Sequence, residues 1–377
     1  MKSSILQAVL ATMLMSGVAS ADPIVFSGDM LFRHEMIKDE LTPGGFNAER
    51  VRERLRLRLK GDVKINDATS ATFRIATGST AATATTTRFN DMGNFNSGNG
   101  IVLDMAYFKY TASEIFSVTA GKMMNPFYQV NDVVFDSDIA PEGVALKYAQ
   151  KFDTTEVWAA LGNSWLAERT GSTGTPGSMD DTMLVGAQVG ANYKADAFNV
   201  LLVASNYNFA NMKGYAAPAT TQGNTYTGAN FAFDYKLTSI GLEVGTKLAD
   251  IPFVFFGDSI TNGAEGVSNN KTATTFGVKI NKLKEKGSWT ASVDTREVQK
   301  DSLPGVFTDG DSSGGGANIS SLRVRFGYQL GDNASMYLNY LDGKKSIATV
   351  SSDATATALG DISTKANRMQ LDFAMNF

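Results

Sequence analysis

A cation stands at every second position of residues 50–60, and mostly apolar side chains fill the positions between. The cations are Arg50, Arg52, Arg54, Arg56, Arg58 and Lys60. A repeat of two is the repeat of a β-strand, whose successive side chains point to opposite faces. A helix turning about 100° per residue would spread these cations around its circumference and leave no apolar stripe. The pattern therefore predicts a strand with one cationic and one apolar face.

The two faces of this strand need different surroundings. Unpaired cations buried in a protein core would each cost several kcal/mol, so we expect the cationic face to meet water and the other face to meet an apolar phase. A sheet between lipid and a water-filled lumen provides both. Glu53 lies on the apolar side, and because a charge at mid-membrane is costly, we expect it near the headgroup boundary or in a subunit interface.

Similar alternating segments recur along the chain, and the links between them have two sizes. Short polar links fall at 60–67, 111–114, 152–155, 195–197, 248–252, 283–287 and 331–333. Long links rich in Gly, Ser, Thr and Asn fall at 37–49, 78–100, 125–143, 167–182, 210–228, 261–271, 301–318 and 345–364. Short periplasmic turns and long extracellular loops are typical of bacterial outer-membrane barrels.

This rhythm predicts an all-β fold, a transmembrane antiparallel β-barrel of sixteen strands. The count requires residues 228–247 to form one long strand and not a hairpin turning at Thr238 and Ser239. An odd count would place the chain ends on opposite sides, against the even number usual in single-chain bacterial barrels. No linker divides the chain, so we predict one barrel domain over residues 22–377.

The first residues have the pattern of an export signal. Lys2 precedes an apolar, uncharged run over residues 5–18, and Ala19-Ser20-Ala21 has the small-x-small pattern of a signal-peptidase site. The alternative is a retained membrane anchor, but the run is shorter than the roughly 20 residues that a spanning helix needs. We predict a cleavable signal peptide over residues 1–21.

Composition removes several kinds of chemistry. The chain has no cysteine, which excludes disulfides and thiolate metal sites. Its one histidine, His34, cannot form a histidine metal cluster. Nothing resembles a nucleophile elbow, and a net charge of −4 lacks the basic excess typical of nucleic-acid binding. We expect no catalytic site, no metal, no cofactor and no nucleic-acid partner.

The chain ends on an aromatic residue after apolar residues at two-residue spacing, and this ending resembles the terminal strand of outer-membrane porins. In that family such residues are the signal read by the barrel-assembly machinery, a role implied here for Leu371, Phe373, Met375 and Phe377. The resemblance also implies a location in the outer membrane of a Gram-negative cell. Outer-membrane lipid and lipopolysaccharide would then surround the barrel.

Three further stretches resemble the putative-porin family. They are residues 50–60, the motifs between Gly121 and Gly143 (Asn125-Pro126-Phe127, Asp136-Ser137-Asp138 and Pro141-Glu142-Gly143), and residues 305–316 with Phe307-Thr308-Asp309-Gly310-Asp311. The resemblance implies a sixteen-stranded channel, commonly a homotrimer. It also implies that the third long loop, residues 125–143, folds inward and narrows the pore.

The charges of this third loop suit such a role. We predict that Asp132, Asp136, Asp138 and Glu142 form an acidic side facing a basic wall, the cations of residues 50–60. Arg33 and Arg74, on the flanking strands, would extend that wall. Acidic loop against basic wall would create a transverse field that sorts solutes by charge and size. The alternative is that these charges are ordinary solvated residues.

Three functions remain open from sequence. The first is a water-filled channel for passive diffusion of small hydrophilic solutes and ions. The second is a substrate-specific pore for phosphate or organic anions, motivated by the arginines; it predicts an anion selectivity that falls when Arg54 and Arg56 are neutralised. The third, from another class, is a structural or adhesive barrel with a plugged lumen and negligible conductance.

Overall fold

The computed structural model describes residues 23–39, 49–78, 88–93, 100–169, 180–217, 222–312, 315–347 and 362–377. The predicted signal peptide lies outside them. Sixteen long strands follow one another antiparallel: β1 Val25–Asp39, β2 Arg50–Lys64, β3 Thr69–Thr77, β4 Ile101–Ser113, β5 Phe116–Lys122, β6 Glu142–Phe152, β7 Thr155–Ala167, β8 Thr182–Lys194, β9 Phe198–Ala210, β10 Tyr235–Leu248, β11 Ile251–Asn262, β12 Thr272–Asn281, β13 Trp289–Val298, β14 Ile319–Gly331, β15 Ala334–Ile347 and β16 Ile362–Asn376. In the described part of the chain, no helix is long and apolar enough to cross a membrane.

The first and last strands close the sheet into a barrel. β1 pairs with β2 along one edge and with β16 along the other, where Asp29 lies opposite Asn376. Gly28 and Phe377 exchange two backbone hydrogen bonds of 2.8 and 3.0 Å. A Cβ at Gly28 would lie 2.6 Å from the Phe377 ring, so only glycine allows this approach. The predicted sixteen-stranded antiparallel barrel is confirmed.

The outer surface carries the apolar half of each alternating pattern. On β14, Leu322, Val324 and Phe326 are exposed on the outside, whereas Arg323 between them reaches a loop inside the barrel. The same rule applies to the terminal strand. Of the four residues implied as an assembly signal, Phe373, Met375 and Phe377 are exposed and Leu371 is half-buried on that outer face. An apolar exterior over an alternating sheet is what lipid contact requires.

The strand count depended on residues 228–247, and the structure corrects the start of that strand. No hairpin forms at Thr238 and Ser239, as predicted, but β10 begins only at Tyr235. Before it, Tyr226–Thr227 and Asn230–Phe231 pair as a separate small hairpin around Gly228, whose φ is +62°. Phe231 is buried inside the barrel, which removes this segment from the wall.

The short turns lie at one end of the barrel and the long loops at the other. Between β10 and β11 the turn has only two residues, Ala249 and Asp250, with φ of 47° and 64° as a type I′ turn requires. β2 continues to Lys64, beyond the predicted end of the strand at Lys60, because Asp62 and its neighbours still pair with β3.

An apolar cluster fills the loop end of the lumen beside β8–β14. It joins strand residues to residues of loop 3 (123–141), loop 5 (211–234) and loop 7 (299–318). Its largest members are Phe127, Phe135, Tyr207, Phe209, Phe231, Tyr235, Leu237, Ile260 and Leu303. The cluster therefore takes up lumen space at the loop end beside these strands.

Candidate functional site

Loop 3 lies inside the barrel and reaches its far wall. Asp132 accepts hydrogen bonds from Arg296 on β13 (2.7 Å) and Arg323 on β14 (2.8 Å). On the other side Asp138 lies 3.5 Å from Arg58 on β2. Because β2 and β13 are on different sides of the lumen, the loop spans the interior between them.

Asx-type turns shape the inward course of loop 3. The side chain of Asn125 accepts the backbone N–H of Phe127 (3.1 Å), and Asn131 accepts that of Val133 (2.9 Å). Asp136 does the same for Asp138, at 2.8 Å. Such side chains replace backbone partners in tight turns. Between the turns, Phe127, Val133 and Phe135 enter the apolar cluster and hold the loop down.

The predicted basic wall lies on the lumen side of β1–β3, and its cations are paired. Arg58 and Arg56 share Asp29, at 2.6 and 3.0 Å. Arg54 pairs with Asp91 at 2.9 Å and Arg52 with Glu35 at 2.5 Å. At the ends of the row, Arg50 pairs with Asp91 and Lys60 with Asp62, each at 2.8 Å.

Arg33 and Arg74, the two predicted flanking cations, are paired as well. Arg33 makes two hydrogen bonds to Asp372 on β16, of 2.7 and 2.9 Å, and one of 2.9 Å to Asp311 in loop 7. Arg74 pairs with the fully buried Asp104 at 2.5 Å, and Arg88 shares that carboxylate. Each cation of the predicted basic row thus has a carboxylate partner, although some carboxylates are shared, a feature that sequence reasoning missed.

An aromatic side chain from loop 2 (78–100) also lies within the basic wall. The Phe89 ring centre is 4.6, 4.8 and 5.3 Å from the guanidinium carbons of Arg33, Arg54 and Arg56. The negative face of an aromatic ring attracts cations, so Phe89 reduces the repulsion among three like charges. As an apolar residue in a long polar link, Phe89 is expected to turn inward, but nothing in the sequence indicates that it lies among these arginines.

The four predicted acidic residues have different surroundings. Asp132 and Asp138 lie beside arginines, as described above. Asp136 is buried and accepts backbone N–H groups, from Asp138 and, at 3.4 Å, from Gly310 of loop 7. Glu142 is exposed and pairs with Lys122 at 2.6 Å at the base of the loop, away from the basic row.

Loop 7 provides a second set of carboxylates that sequence reasoning did not assign to the site. Asp311 accepts hydrogen bonds from Arg33 (2.9 Å) and Arg368 (3.0 Å). Asp309 lies 3.5 Å from Arg296, next to Asp132. The stretch 305–316 carries a family motif, and its Phe307 is a signal of burial, because an apolar residue in a polar link predicts burial.

Loops 3 and 7 are joined to each other inside the barrel. The backbone N–H of Asp136 donates to the carbonyl of Phe307 at 2.7 Å. The Phe307 ring stacks on Phe209 of β9 with centroids 5.6 Å apart, and Phe135 of loop 3 lies 6.0 Å from the same ring. These contacts make one unit of the two loops.

The carboxyl groups of this unit divide into two kinds. Burial, together with Asp309 and Asp138, raises the pKa of Asp136 to about 9. Burial also raises the pKa of Asp309, next to Asp132 and Asp311. For Asp132, burial is outweighed by Arg296 and Arg323, which hold its pKa below the ordinary value. Asp136 is therefore neutral at pH 7, while Asp132 is ionised.

The loops and the basic wall enclose a small charged cavity of about 190 Å³, here called the eyelet. Its charged lining residues are Arg33, Arg56, Arg323, Arg325, Asp132, Asp136, Asp138, Asp309, Asp311 and Asp372. Two wider cavities lie along loop 3. One of about 870 Å³ is toward the loop end of β7, at Trp165, and one of about 890 Å³ is toward its turn end, at Trp158.

The family model described as "Putative porin" matches residues 38–251, more than half of the chain. The chain belongs to this family. A comparison with curated proteins found no match. Membership of this family and the barrel fold support an outer-membrane channel in an outer-membrane location.

Solved structures with a similar fold include proteins of three bacteria. OprB of Pseudomonas putida superposes with a TM-score of 0.58 at 9% identity, over 99% of this chain and 97% of that one. The channel DcaP of Acinetobacter baumannii gives 0.51 at 13%, over 96% and 99%. The trimer form of OmpT of Vibrio cholerae gives 0.51 at 13%, over 95% and 100%. At such identities the likeness shows the fold alone.

Proposed function

We propose that this porin forms a water-filled channel for passive diffusion of small hydrophilic solutes and ions. One observation carries the proposal: inside a barrel with an apolar exterior, loop 3 lines two wide cavities and a small, strongly charged one. In the lipid core a closed sheet satisfies its own backbone hydrogen bonds. The narrowest charged ring of a pore sets the barrier to passage.

The pairing of the arginines favours a general channel with weak selectivity. Along the basic row, each positive charge has a carboxylate within 4 Å. A passing ion therefore experiences the partly cancelling fields of ion pairs and not the field of positive charges alone. Substances are then sorted chiefly by size, with charge as a smaller factor.

The proposal includes assembly features that rest on the family. We propose a homotrimer, supported by the trimer form in which one similar structure, OmpT of Vibrio cholerae, was solved. We also propose export by the signal peptide over residues 1–21, recognition of the terminal strand by the barrel-assembly machinery, and contact with lipopolysaccharide and outer-membrane lipid.

Liposome swelling with uncharged sugars of increasing size tests the proposed diffusion. Vesicles that contain the folded chain from Asp22 onward are expected to swell fast in a pentose and progressively more slowly in hexoses and disaccharides. Vesicles with heat-denatured protein are the control. Equal swelling rates for protein-free and protein-containing vesicles would contradict the proposal, because a size-limited water-filled path must admit the smallest sugar.

Two alternatives each have an observation in their favour. Four arginines line the eyelet, which favours a pore specific for phosphate or organic anions; its anion current would saturate with concentration. The apolar cluster that fills the lumen beside β8–β14 favours a structural or adhesive barrel. That barrel would contain folded protein but conduct no ions.

A further inference from the structure

Arg325 differs from every other arginine that lines the eyelet. Arg33, Arg56 and Arg323 each have a carboxylate oxygen within 3.0 Å. Across the described residues, no carboxylate oxygen comes within 4.0 Å of the Arg325 guanidinium, although its side chain is exposed to the lumen. A guanidinium that is exposed and has no carboxylate partner can donate its N–H groups to a solute.

The strand pattern fixes where this guanidinium points. Arg325 follows Arg323 by two residues on β14, so both side chains face the lumen. Its guanidinium carbon lies 4.6 Å from the centre of the Tyr337 ring on β15, which supports it from one side. Arg325 lines both the eyelet and an adjacent cavity of about 320 Å³ toward the turn end. It therefore stands where the two spaces meet.

Two carboxylates that line the same cavities as Arg325 are already occupied. Asp372 accepts two hydrogen bonds from Arg33 and a third, of 3.3 Å, from Asn339. Asp294 accepts from Arg323 at 2.9 Å. Asp309 lies 3.5 Å from Arg296 and 3.6 Å from Arg323, so it also has arginine partners.

We propose that Arg325 is the anion-binding residue of the eyelet and the main determinant of the channel's anion preference, in place of the cations of residues 50–60. This rests on the proposed channel function. The solute recognised is a small oxyanion, a carboxylate or inorganic phosphate, because a guanidinium fork matches two oxygens of such groups. Ser292, which lines the adjacent cavity, supplies a further hydroxyl donor there.

The test compares Arg325→Gln with Lys147→Gln in planar bilayers. Lys147 is a matched control: it is exposed, has no carboxylate within 4.0 Å among the described residues, and lines the 890 Å³ cavity instead of the eyelet. Both variants remove one positive charge from the lumen. The reversal potential under a KCl gradient gives the ratio of anion to cation permeability, and added inorganic phosphate or acetate measures inhibition of the chloride current.

Arg325→Gln is expected to lower the permeability ratio by at least about fivefold, the factor by which one unit charge at contact distance in water changes the permeability of a single ion. It should also abolish inhibition by phosphate and acetate, while Lys147→Gln changes neither markedly. Arg325→Lys should retain the permeability ratio and lose most of the inhibition, because an ammonium lacks the fork. Equal shifts in the two Gln variants, or undiminished inhibition in Arg325→Gln, would overturn the proposal. Absence of conductance in the unmodified protein would instead reject the channel function itself.

Discussion

Asp132→Ala is expected to raise the single-channel conductance about twofold and to add current noise, since it releases loop 3 from the far wall of the pore. Asp132 is the carboxylate that Arg296 and Arg323 share, and the Arg296 side chain is only 2% exposed. Removing one partner of a buried ion pair costs about 3–5 kcal/mol. Arg296 keeps Asp294 at 3.4 Å, which places the cost at the low end of that range.

The control for this variant is Asp153→Ala, which removes an exposed carboxylate in the short turn between β6 and β7. It carries the same change of charge but touches neither loop 3 nor the far wall. Both variants should fold, as shown by heat-modifiable migration on gels. If Asp132→Ala and Asp153→Ala have the same conductance as the unmodified channel, loop 3 does not limit the current.

The second prediction with a large expected effect concerns the pH dependence of the docking of loop 3 inside the barrel. The pKa of Asp136 is raised to about 9 where loop 3 meets loop 7, whereas a released loop would have an Asp pKa of about 3.9. A carboxyl whose pKa is raised in the docked state stabilises docking fully below about pH 4. This stabilisation is lost as pH rises from about 4 toward about 9. The equilibrium constant for docking of loop 3 then falls by up to about tenfold per pH unit.

Asp132 and Asp311 make the docking of loop 3 less stable in acid. Arginines hold the pKa of both below the ordinary value, so their stabilisation is present above about pH 4 and is lost as pH falls below it. Docking of loop 3 is therefore most stable just above pH 4. We expect brief high-conductance excursions of the current to be at least about tenfold more frequent at pH 9 than at pH 5.

The variant Asp136→Asn distinguishes the contribution of Asp136 to this pH dependence from the contributions of Asp132 and Asp311. The amide oxygen can still accept the backbone N–H of Asp138, while the longer contact with the N–H of Gly310 is lost because the second oxygen becomes an NH2 group. The side chain no longer titrates. The frequency of excursions should then be nearly constant between pH 5 and pH 9, with the change below pH 4 retained. An unchanged rise toward pH 9 in Asp136→Asn would assign the effect to another group.

The sequence was most informative about the faces of strands, because the period of two is a local property. The cationic row on β2 and the apolar row on β16 both lie on the predicted faces. The period of two does not indicate which residue of another strand a given side chain contacts. Arg33 and Asp372 are 339 positions apart and meet only because β1 closes against β16.

Glu53 shows the same limit. It is half-exposed on the outer face, where sequence reasoning found no partner for it. In the barrel, β1 and β2 place His34 directly opposite Glu53, and the two side chains are 2.8 Å apart. A cross-strand pair of this kind depends on the register of two strands. The register was not available from either segment alone.

The loops were predictable only in part. The family resemblance predicted that loop 3 folds inward, and its acidic residues indicated that it would face the basic wall. Loop 7 looked like a glycine-rich surface link, and its role depends on tertiary contacts of Phe307, Asp309 and Asp311. Apolar residues inside long polar links, such as Phe231 and Phe307, are the signal that such segments turn inward.

Single-channel recording in a planar bilayer under a salt gradient tests the central claim most directly, using the folded chain from Asp22 onward. We expect stable ohmic steps with weak ion selectivity, because the eyelet is narrow and carries charges of both signs, four arginines and six aspartates. Correctly folded barrels that insert and conduct no ions would contradict the account and favour the structural or adhesive barrel.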